Sequence, residues 1–385
     1  MTEKKKVNIC SQFVDRKSNS TGYMWQNLIL FLEEDFNIKV ISTDGDGTKN
    51  NYFTIKSTKL NYSFIGRLIS LSSIAISIFI KMLKVIKSNE IIITGTNPVI
   101  LLFFIPFLKR MKKLKWVLIV HDLYPWNLFV NQNIKNKVLK NSLEFFFKKI
   151  YDEADQIIVI GSDMKDYLSR HTKSNIQVIQ NWVSTEDVQS IDRSNSTILK
   201  HLGLGKEFTV FQFFGNIGPL QDIENILKAI TLVEEKSARF LFIGSGSKSY
   251  LIDEYIEKYH LNNLINYGPL EMSENCEGLS ACDIAIVSLH KDMLGLGVPS
   301  KSYFSMAADK PILAIMDSKS EISQAVKNFS LGWCCAPNDP SLLASMIDEI
   351  CISNKKVIES PRSKFIKHYS SDVLLSKFSK LLNSL

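Results

Sequence analysis

Short apolar runs alternate with amphipathic stretches from one end of the chain to the other, and this alternation restricts the fold more than any other feature of the sequence. In the first half the runs at 7–10, 38–42, 91–94, 116–121, 156–160 and 176–179 read as strands, each followed by a loop and a helix. In the second half the runs at 209–214, 239–243, 264–267, 284–288, 312–315 and 332–335 read the same way. Strands of this kind, separated by helices, build parallel sheets covered on both faces. A chain of 385 residues exceeds what one core usually serves, so two α/β domains are expected. The polar, Ser- and Asp-rich stretch 187–201 marks the seam, giving an N-terminal domain 1–187 and a C-terminal domain 188–370. The last helix, 371–385, has no strand after it and is expected to pack back on the first domain.

Composition excludes several classes. With 45% hydrophobic and 22% charged residues the chain can bury sizeable cores and falls outside disordered or collagen-like sequences. Cys10, Cys276, Cys282, Cys334, Cys335 and Cys351 form neither a CxxC pair nor a disulfide or zinc spacing, so they read as reduced core residues of a cytosolic protein. The first six residues are polar and the apolar run after them is one short strand, which gives no signal peptide.

Charge is unevenly placed. The whole chain carries a formal +7, yet residues 56–115 hold eleven Lys and Arg against Glu90 alone. The same segment contains apolar stretches at 68–80 and 98–108, both shorter than the roughly 18 to 20 residues needed to cross a bilayer. Basic residues mixed with apolar helices suit a surface resting on anionic lipid. Two core helices with solvated lysines would produce the same pattern, and the membrane reading is the one carried forward. Nucleic acid is set aside, because no aromatic residues are interleaved with the basic ones as a stacking platform requires.

Ligands of open parallel sheets gather at the carboxyl ends of strands, where helix N-termini offer unpaired N–H groups. After the run at 209–214 comes GNIGPLQDI, in which Gly215 and Gly218 permit a tight turn before a helix expected to start near Leu220 or Gln221. Backbone amides there could approach an anion, although a plain strand-to-helix turn accounts for the glycines equally well. After the next run comes GSGSKSYL, with Gly244 and Gly246 but no full GxGxxG, which argues against a nicotinamide dehydrogenase. The most informative stretch is 294–315, where a Gly-rich loop meets Val298, Pro299, Ser300 and Lys301 at a helix start. A diphosphate at that point would meet amides, the helix dipole and an ammonium; a structural cap with a surface lysine is the plainer alternative. In the first half His121 and Asp122 end a strand, well placed for sugar hydroxyls, though a lone His is more often structural. Ser20, Thr21, Gly22 and Tyr23 follow the first strand and are candidates for shaping an acceptor pocket. The loops 95–98 and 180–183 carry less.

Taken in order, VHDLYP at 120–125, ADQIIVIGSDM, VIQNWV, FFGNIGPLQDI, FLFIGSG and ACDIAIVSL followed by GVPSKSYFSMAADKPILA resemble the family-four retaining glycosyltransferases of GT-B fold. The likeness is to the branch that builds O-antigen or capsule, including fucosaminyltransferase-like proteins, and it spans nearly the whole chain. It implies two Rossmann-like domains with parallel sheets facing an interdomain cleft, a nucleotide-sugar donor on the C-terminal domain, UDP-linked by expectation, and no metal or cofactor. It implies donor contacts from Gly215, Asn216, Gly218, Gln221, Gly244, Gly246, Gly268 and 298–301, and acceptor contacts from 20–23 and Tyr124. His121, Asp122 and Lys301 would serve the chemistry. The acceptor it implies is a polyprenyl-diphosphate-linked glycan at the inner face of the cell membrane, and the sugar an N-acetylated amino sugar or a deoxy sugar.

The sequence also departs from the wider family. Asn216 and Gln221 stand where an Arg and a Lys are usual, and Leu296 and Phe304 where two glutamates are usual. Lys301 is therefore expected to take over much of the phosphate charge compensation, and the ribose contact has no identified owner. Trp126 follows Tyr124-Pro125 where this branch often has an acidic residue. Two rivals remain: an enzyme of the same two-domain architecture, either a nucleotide-sugar 2-epimerase, for which the glycine loops lack extra acid/base carboxylates, or a phosphorylase; and a non-catalytic glycosyltransferase-like partner subunit.

Overall fold

A computed structural model describes residues 4–55, 64–132, 134–353 and 359–385. Lys56 and Lys59 of the basic segment lie outside the described residues. The chain divides into two compact units: residues 1–180 with 295–297 and 374–385, and residues 181–294 with 298–373.

The first unit holds a seven-stranded parallel sheet of β1 (Lys6–Cys10), β2 (Asn37–Ser42), β3 (Tyr52–Thr54), β4 (Ile91–Gly95), β5 (Lys115–Val120), β6 (Gln156–Val159) and β7 (Ile176–Val178), in the order β3-β2-β1-β4-β5-β6-β7. The strands β4 and β6 are buried at every position, which is why they read as unbroken apolar runs. β3, absent from the sequence reading, is three residues long and only half-buried, so neither length nor pattern announces it.

The second unit holds six parallel strands, β8 (Thr209–Phe214), β9 (Ala238–Ile243), β10 (Leu264–Gly268), β11 (Ile284–Ser288), β12 (Ile312–Ile315) and β13 (Gly332–Cys335), in the order β10-β9-β8-β11-β12-β13. Its core is built on paired rings: Phe211 stacks on Phe240 at 5.6 Å and Phe213 on Phe242 at 5.4 Å, each pair in direct register across β8 and β9. Both sheets reverse their winding beside their first strand, between β1 and β4 in one and β8 and β11 in the other. Those two switch points open the crevices where α/β sheets take ligands.

Several expectations need correction. The stretch 187–201 is no bare seam, since it contains a 3-10 turn Arg193–Asn195 and a helix Thr197–His201. The Glu277 carboxylate accepts from Thr197 N (2.6 Å), Ile198 N (3.1 Å) and the Thr197 hydroxyl (2.9 Å), fixing that helix start from outside its own segment. The division between units falls earlier, at Gln180, and the last helix, Ser371–Ser384, counts with the first unit only from Leu374. Lys5 Nζ donates to Asn383 O at 2.8 Å on that helix. The apolar stretch 68–80 lies in a longer helix, Phe64–Val85, buried along Ile74, Ile78 and Met82. Among the described residues no helix is long and apolar enough to cross a membrane. All six cysteines are free, but only Cys10, Cys282 and Cys335 are fully buried; the other three sit at the margins of the packing.

Candidate functional site

The second unit's crevice is framed by three interlocked loops. Gly215, at φ 122°, donates its N–H to Ile243 O at 2.8 Å, and Ile217 N donates to Ser245 O at 2.9 Å. In the other direction Lys248 N donates to Ile217 O at 3.0 Å, while Gly244 N reaches Gly268 O at 2.9 Å. Glycine is required where these loops touch: at Gly244, with φ 144°, a Cβ would fall 1.9 Å from Gly215 O, and at Gly246 it would fall 2.2 Å from Ile217 O. The sequence-derived donor residues Gly215, Asn216, Gly218, Gly244, Gly246 and Gly268 are thus gathered by contact between the ends of β8, β9 and β10.

That gathering changes what the glycine turn can offer. Gly215, Ile217 and Gly218 all donate their amides within the protein, Gly218 to the Gln221 side chain at 3.2 Å. The Gln221 amide oxygen is correspondingly engaged in holding its own turn. An α-helix does not begin at Leu220 or Gln221: a 3-10 turn Pro219–Gln221 leads to Asp222, which is left-handed at φ 50°, and the helix starts at Ile223. The end of β11 is tied to the same turn, with Ser288 Oγ donating to Gln221 O at 2.5 Å and His290 N to Leu220 O at 2.8 Å. His290 is a further candidate that sequence reasoning missed, two residues past a strand end on the far side of the switch point.

Positive charge comes from Lys301, first residue of the helix Lys301–Ala307. Ser300 occupies the cap position without a side-chain cap bond, so it is not the capping serine expected; Ser302 Oγ donates to Pro299 O at 2.7 Å instead. With seven residues this helix supplies a small dipole. The Lys301 ammonium nitrogen is buried, has no hydrogen-bond partner among the described residues, and lies 3.3 Å from the centre of the Phe213 ring on β8. Burial alone pushes its pKa well below the usual lysine range. A buried nitrogen with no acceptor is costly unless something anionic arrives to complete it.

In the first unit His121 directly follows β5. Burial pushes its imidazole down to about 4, so it is neutral near pH 7. Its ring stands edge-on to Trp25 at 6.2 Å, and the Trp25 indole N–H is buried with no partner among the described residues. Trp25 was not singled out from the sequence; its only signal there is its place one turn into the helix after β1. Asp122 keeps an edge open to water, yet crowding still raises its carboxyl above the usual range while the Asn127 amide, donating at 2.9 Å, pulls it back. Asp122 also forms an antiparallel bridge with Gly297, and Leu123 N donates to Leu296 O at 2.9 Å. Leu296, in the place of a usual glutamate, is buried and held by its backbone.

The residues 20–23 form the first turn of the helix Ser20–Glu33, where the Asn19 side chain accepts from Gly22 N at 2.9 Å. Gly22 and Tyr23 are buried supports, Thr21 is half-buried and Ser20 is exposed. Tyr124 gives its carbonyl to the Tyr151 hydroxyl at 2.7 Å and lays its ring along Phe147 at 6.3 Å. Its side chain is therefore part of the packing under the loop as much as of any surface.

Comparison with known proteins agrees with this architecture. The family profile described as "Glycosyl transferases group 1" matches residues 194–367, and one described as "Glucosyltransferase 3-like, N-terminal domain" matches 53–181. The chain is 35% identical over 393 residues to "Probable glycosyltransferase WbjE" of Pseudomonas aeruginosa, covering 99% of this chain and 98% of that protein. Among solved structures it is similar in fold to sucrose-phosphate synthase of Thermosynechococcus elongatus (TM-score 0.78, 14% identity, 99% and 98% of the two chains). HepE of Anabaena, solved in complex with UDP, is also similar (TM-score 0.72, 12% identity, 99% and 100%). Two parallel-sheet α/β units and a full-length relative above 30% identity lead to one conclusion: the chain belongs to the group 1 glycosyl transferases, a GT-B glycosyltransferase family.

Proposed function

We propose that the protein is a retaining, metal-independent glycosyltransferase that moves an N-acetylated amino sugar or deoxy sugar from a UDP-linked donor to a polyprenyl-diphosphate-linked glycan. It would act in O-antigen or capsule biosynthesis at the inner face of the cell membrane. One observation carries the donor half of this reading: the buried, unpartnered Lys301 nitrogen at the switch point of the second sheet. The glycine turn holds no basic side chain and commits three amides internally, so the diphosphate charge falls chiefly on that ammonium. The UDP complex of the similarly folded HepE supports a nucleoside diphosphate as ligand.

In the transfer step the bond between the anomeric carbon and the diphosphate oxygen breaks while the acceptor hydroxyl oxygen attacks the same face. The departing oxygen takes up the hydroxyl proton, and Lys301 stabilises the charge growing on the diphosphate. Neutral His121 donates or accepts a hydrogen bond with a sugar hydroxyl without adding charge. Leu296 and Phe304 offer no carboxylate to the ribose, which leaves that contact to another group.

Calorimetric titration with UDP and GDP, then incubation with a panel of nucleotide sugars and polyprenyl-diphosphate-linked acceptors followed by product mass, tests the reading. UDP binding weakened at least tenfold in Lys301→Ala supports it. Absence of any nucleoside diphosphate binding would favour the partner-subunit reading, and interconversion of the donor without acceptor would favour the 2-epimerase.

A further inference from the structure

The amino ends of three neighbouring strands in the first unit border a cavity of about 450 Å³. Lys6 opens β1, Lys115 opens β5, and the turn 87–90 leads into β4, whose Ile91 lies in register with Val7 on one side and Lys115 on the other. Lys4, Lys5, Lys6, Lys87 and Lys115 line the cavity, and Glu90 is the one acidic side chain among its described lining residues. This is the pole of the sheet away from His121, which follows the far end of β5, roughly 20 Å along an extended strand from Lys115.

Two of the lysines have structural work. Lys4 Nζ donates to Glu33 O at 3.3 Å and to Glu34 O, and Lys5 Nζ to Leu382 O at 3.4 Å and Asn383 O at 2.8 Å, so each closes the carboxyl end of a helix. A helix end carries only about half a unit of negative charge, and part of each ammonium's charge is left over. Lys87 and Lys115 have no such duty. The Lys87 ammonium has no acceptor among the described residues, and Lys115 comes only within 3.9 Å of Asp155, a carboxylate that Lys109 already holds at 2.9 Å. Glu90 does not offset them, because it is buried and spent: it accepts from Asn8 Nδ2 at 2.9 Å and Lys87 N at 3.0 Å and pairs with Lys39 at 3.5 Å. Those bonds, with Asn89 N donating to Lys112 O at 2.9 Å, fix the turn 87–90. The Ser88 hydroxyl and the Asn89 side-chain amide on that turn have no partner among the described residues and are free to donate.

Ammonium groups gathered around one hollow repel each other, and a compact anion bearing several charges relieves that repulsion. No aromatic side chain is among the described lining residues, so nothing there stacks a nucleobase. A lipid headgroup offers the same phosphate chemistry, but none of the lining residues is an exposed large apolar side chain that could enter a bilayer. We propose that this cavity is a second ligand site, taking a soluble anion of linked phosphates, with Lys87 and Lys115 as its principal cations and Ser88 and Asn89 as neutral donors. The site lies outside the donor and acceptor contacts of the reading above and does not rest on it.

Calorimetric titration of the full-length protein with tripolyphosphate, in excess UDP and at about 0.15 M ionic strength, tests it. The wild type is expected to bind saturably, and Lys87→Ala/Lys115→Ala to bind at least tenfold more weakly. Lys206→Ala/Lys236→Ala removes the same charge from exposed positions on the second unit and should bind as the wild type does. Both pairs are solvent-facing, and unchanged melting temperatures report that the variants are folded. The proposal is overturned if the wild type gives no saturable heat, if the Lys87/Lys115 variant loses less than tenfold, or if the Lys206/Lys236 variant loses as much, which would mark general attraction to a basic protein. Displacement of tripolyphosphate by phosphatidylglycerol vesicles would overturn the soluble ligand in favour of a headgroup.

Discussion

The Lys301 nitrogen faces the Phe213 ring at 3.3 Å and has no hydrogen-bond acceptor beside it among the described residues. The arrangement favours a ligand over the empty fold. Replacing the lysine by methionine keeps most of its volume and removes the buried polar nitrogen. Lys301→Met should therefore raise the melting temperature of the unliganded protein by a few degrees while lowering turnover at least tenfold, roughly the effect of losing one preorganised charge. Calorimetric melting beside a radiolabelled-donor assay reads both; a destabilised variant with wild-type turnover would refute the assignment.

The same burial lowers the affinity of Lys301 for its proton in the empty site. A diphosphate arriving at that nitrogen favours the charged form again, so binding should be coupled to proton uptake at any pH where the lysine of the empty site has lost its proton. Titrating UDP in buffers of different ionisation enthalpy is expected to give heats that vary with the buffer in the wild type. In Lys301→Met that dependence should disappear.

Gly244 is the tightest point of the loop assembly. An alanine there would put its methyl group 1.9 Å from Gly215 O on a backbone at φ 144°. Since β8 and β9 must shift to admit it, Gly244→Ala is expected to cost more than about 2 kcal/mol of stability and to abolish donor binding. Urea unfolding and UDP titration measure the two effects.

His121 gives a pH signature. Its folded-state value is about 4 while the unfolded chain takes up the proton near 6.5, so its neutral form stabilises the fold fully above 6.5. That contribution is lost as pH falls toward 4, by on the order of 2 kcal/mol once the partly open ring is allowed for. His121→Gln, compared with the wild type by urea unfolding between pH 7 and pH 4, should show a correspondingly shallower decline.

Arg362 holds the second unit's chain together at a distance. Its guanidinium donates to Val188 O at 2.7 Å, to Ala307 O, and to Thr185 O at 3.2 Å. Arg362→Met leaves three carbonyls without that donor and should lower unfolding free energy by about 2 to 3 kcal/mol, with the slope of the urea transition unchanged.

What the sequence reveals follows from how local its causes are. The strands β8, β11, β12 and β13 are legible to the residue because each is a short, mostly apolar run marked at one end by a Gly, Pro or polar residue: Gly215, Asp283, Pro311 and Gly332. β3 is not, since its three residues owe their place to pairing with β2, and pairing leaves no mark on so short a run. The glycines of the candidate site are visible as turn residues, but their engagement with one another across two loops is tertiary. The burial of Lys301 depends on a ring far away in sequence, and a lysine after Pro-Ser looks the same whether it ends in water or on Phe213. Trp25 and His290 escaped notice for a similar reason: each gains interest only from a neighbour that the topology delivers.

Because the loops after β8 and β9 touch carbonyl to Cα with no room for one extra carbon, neither can drift without dragging the other. If the proposed donor site is right, that part of the second unit is a fixed jig common to any nucleotide held there. Selectivity for one sugar over another would then be written in segments that are free to vary, and evolution toward a new donor would leave Gly215, Gly244 and Gly246 where they stand.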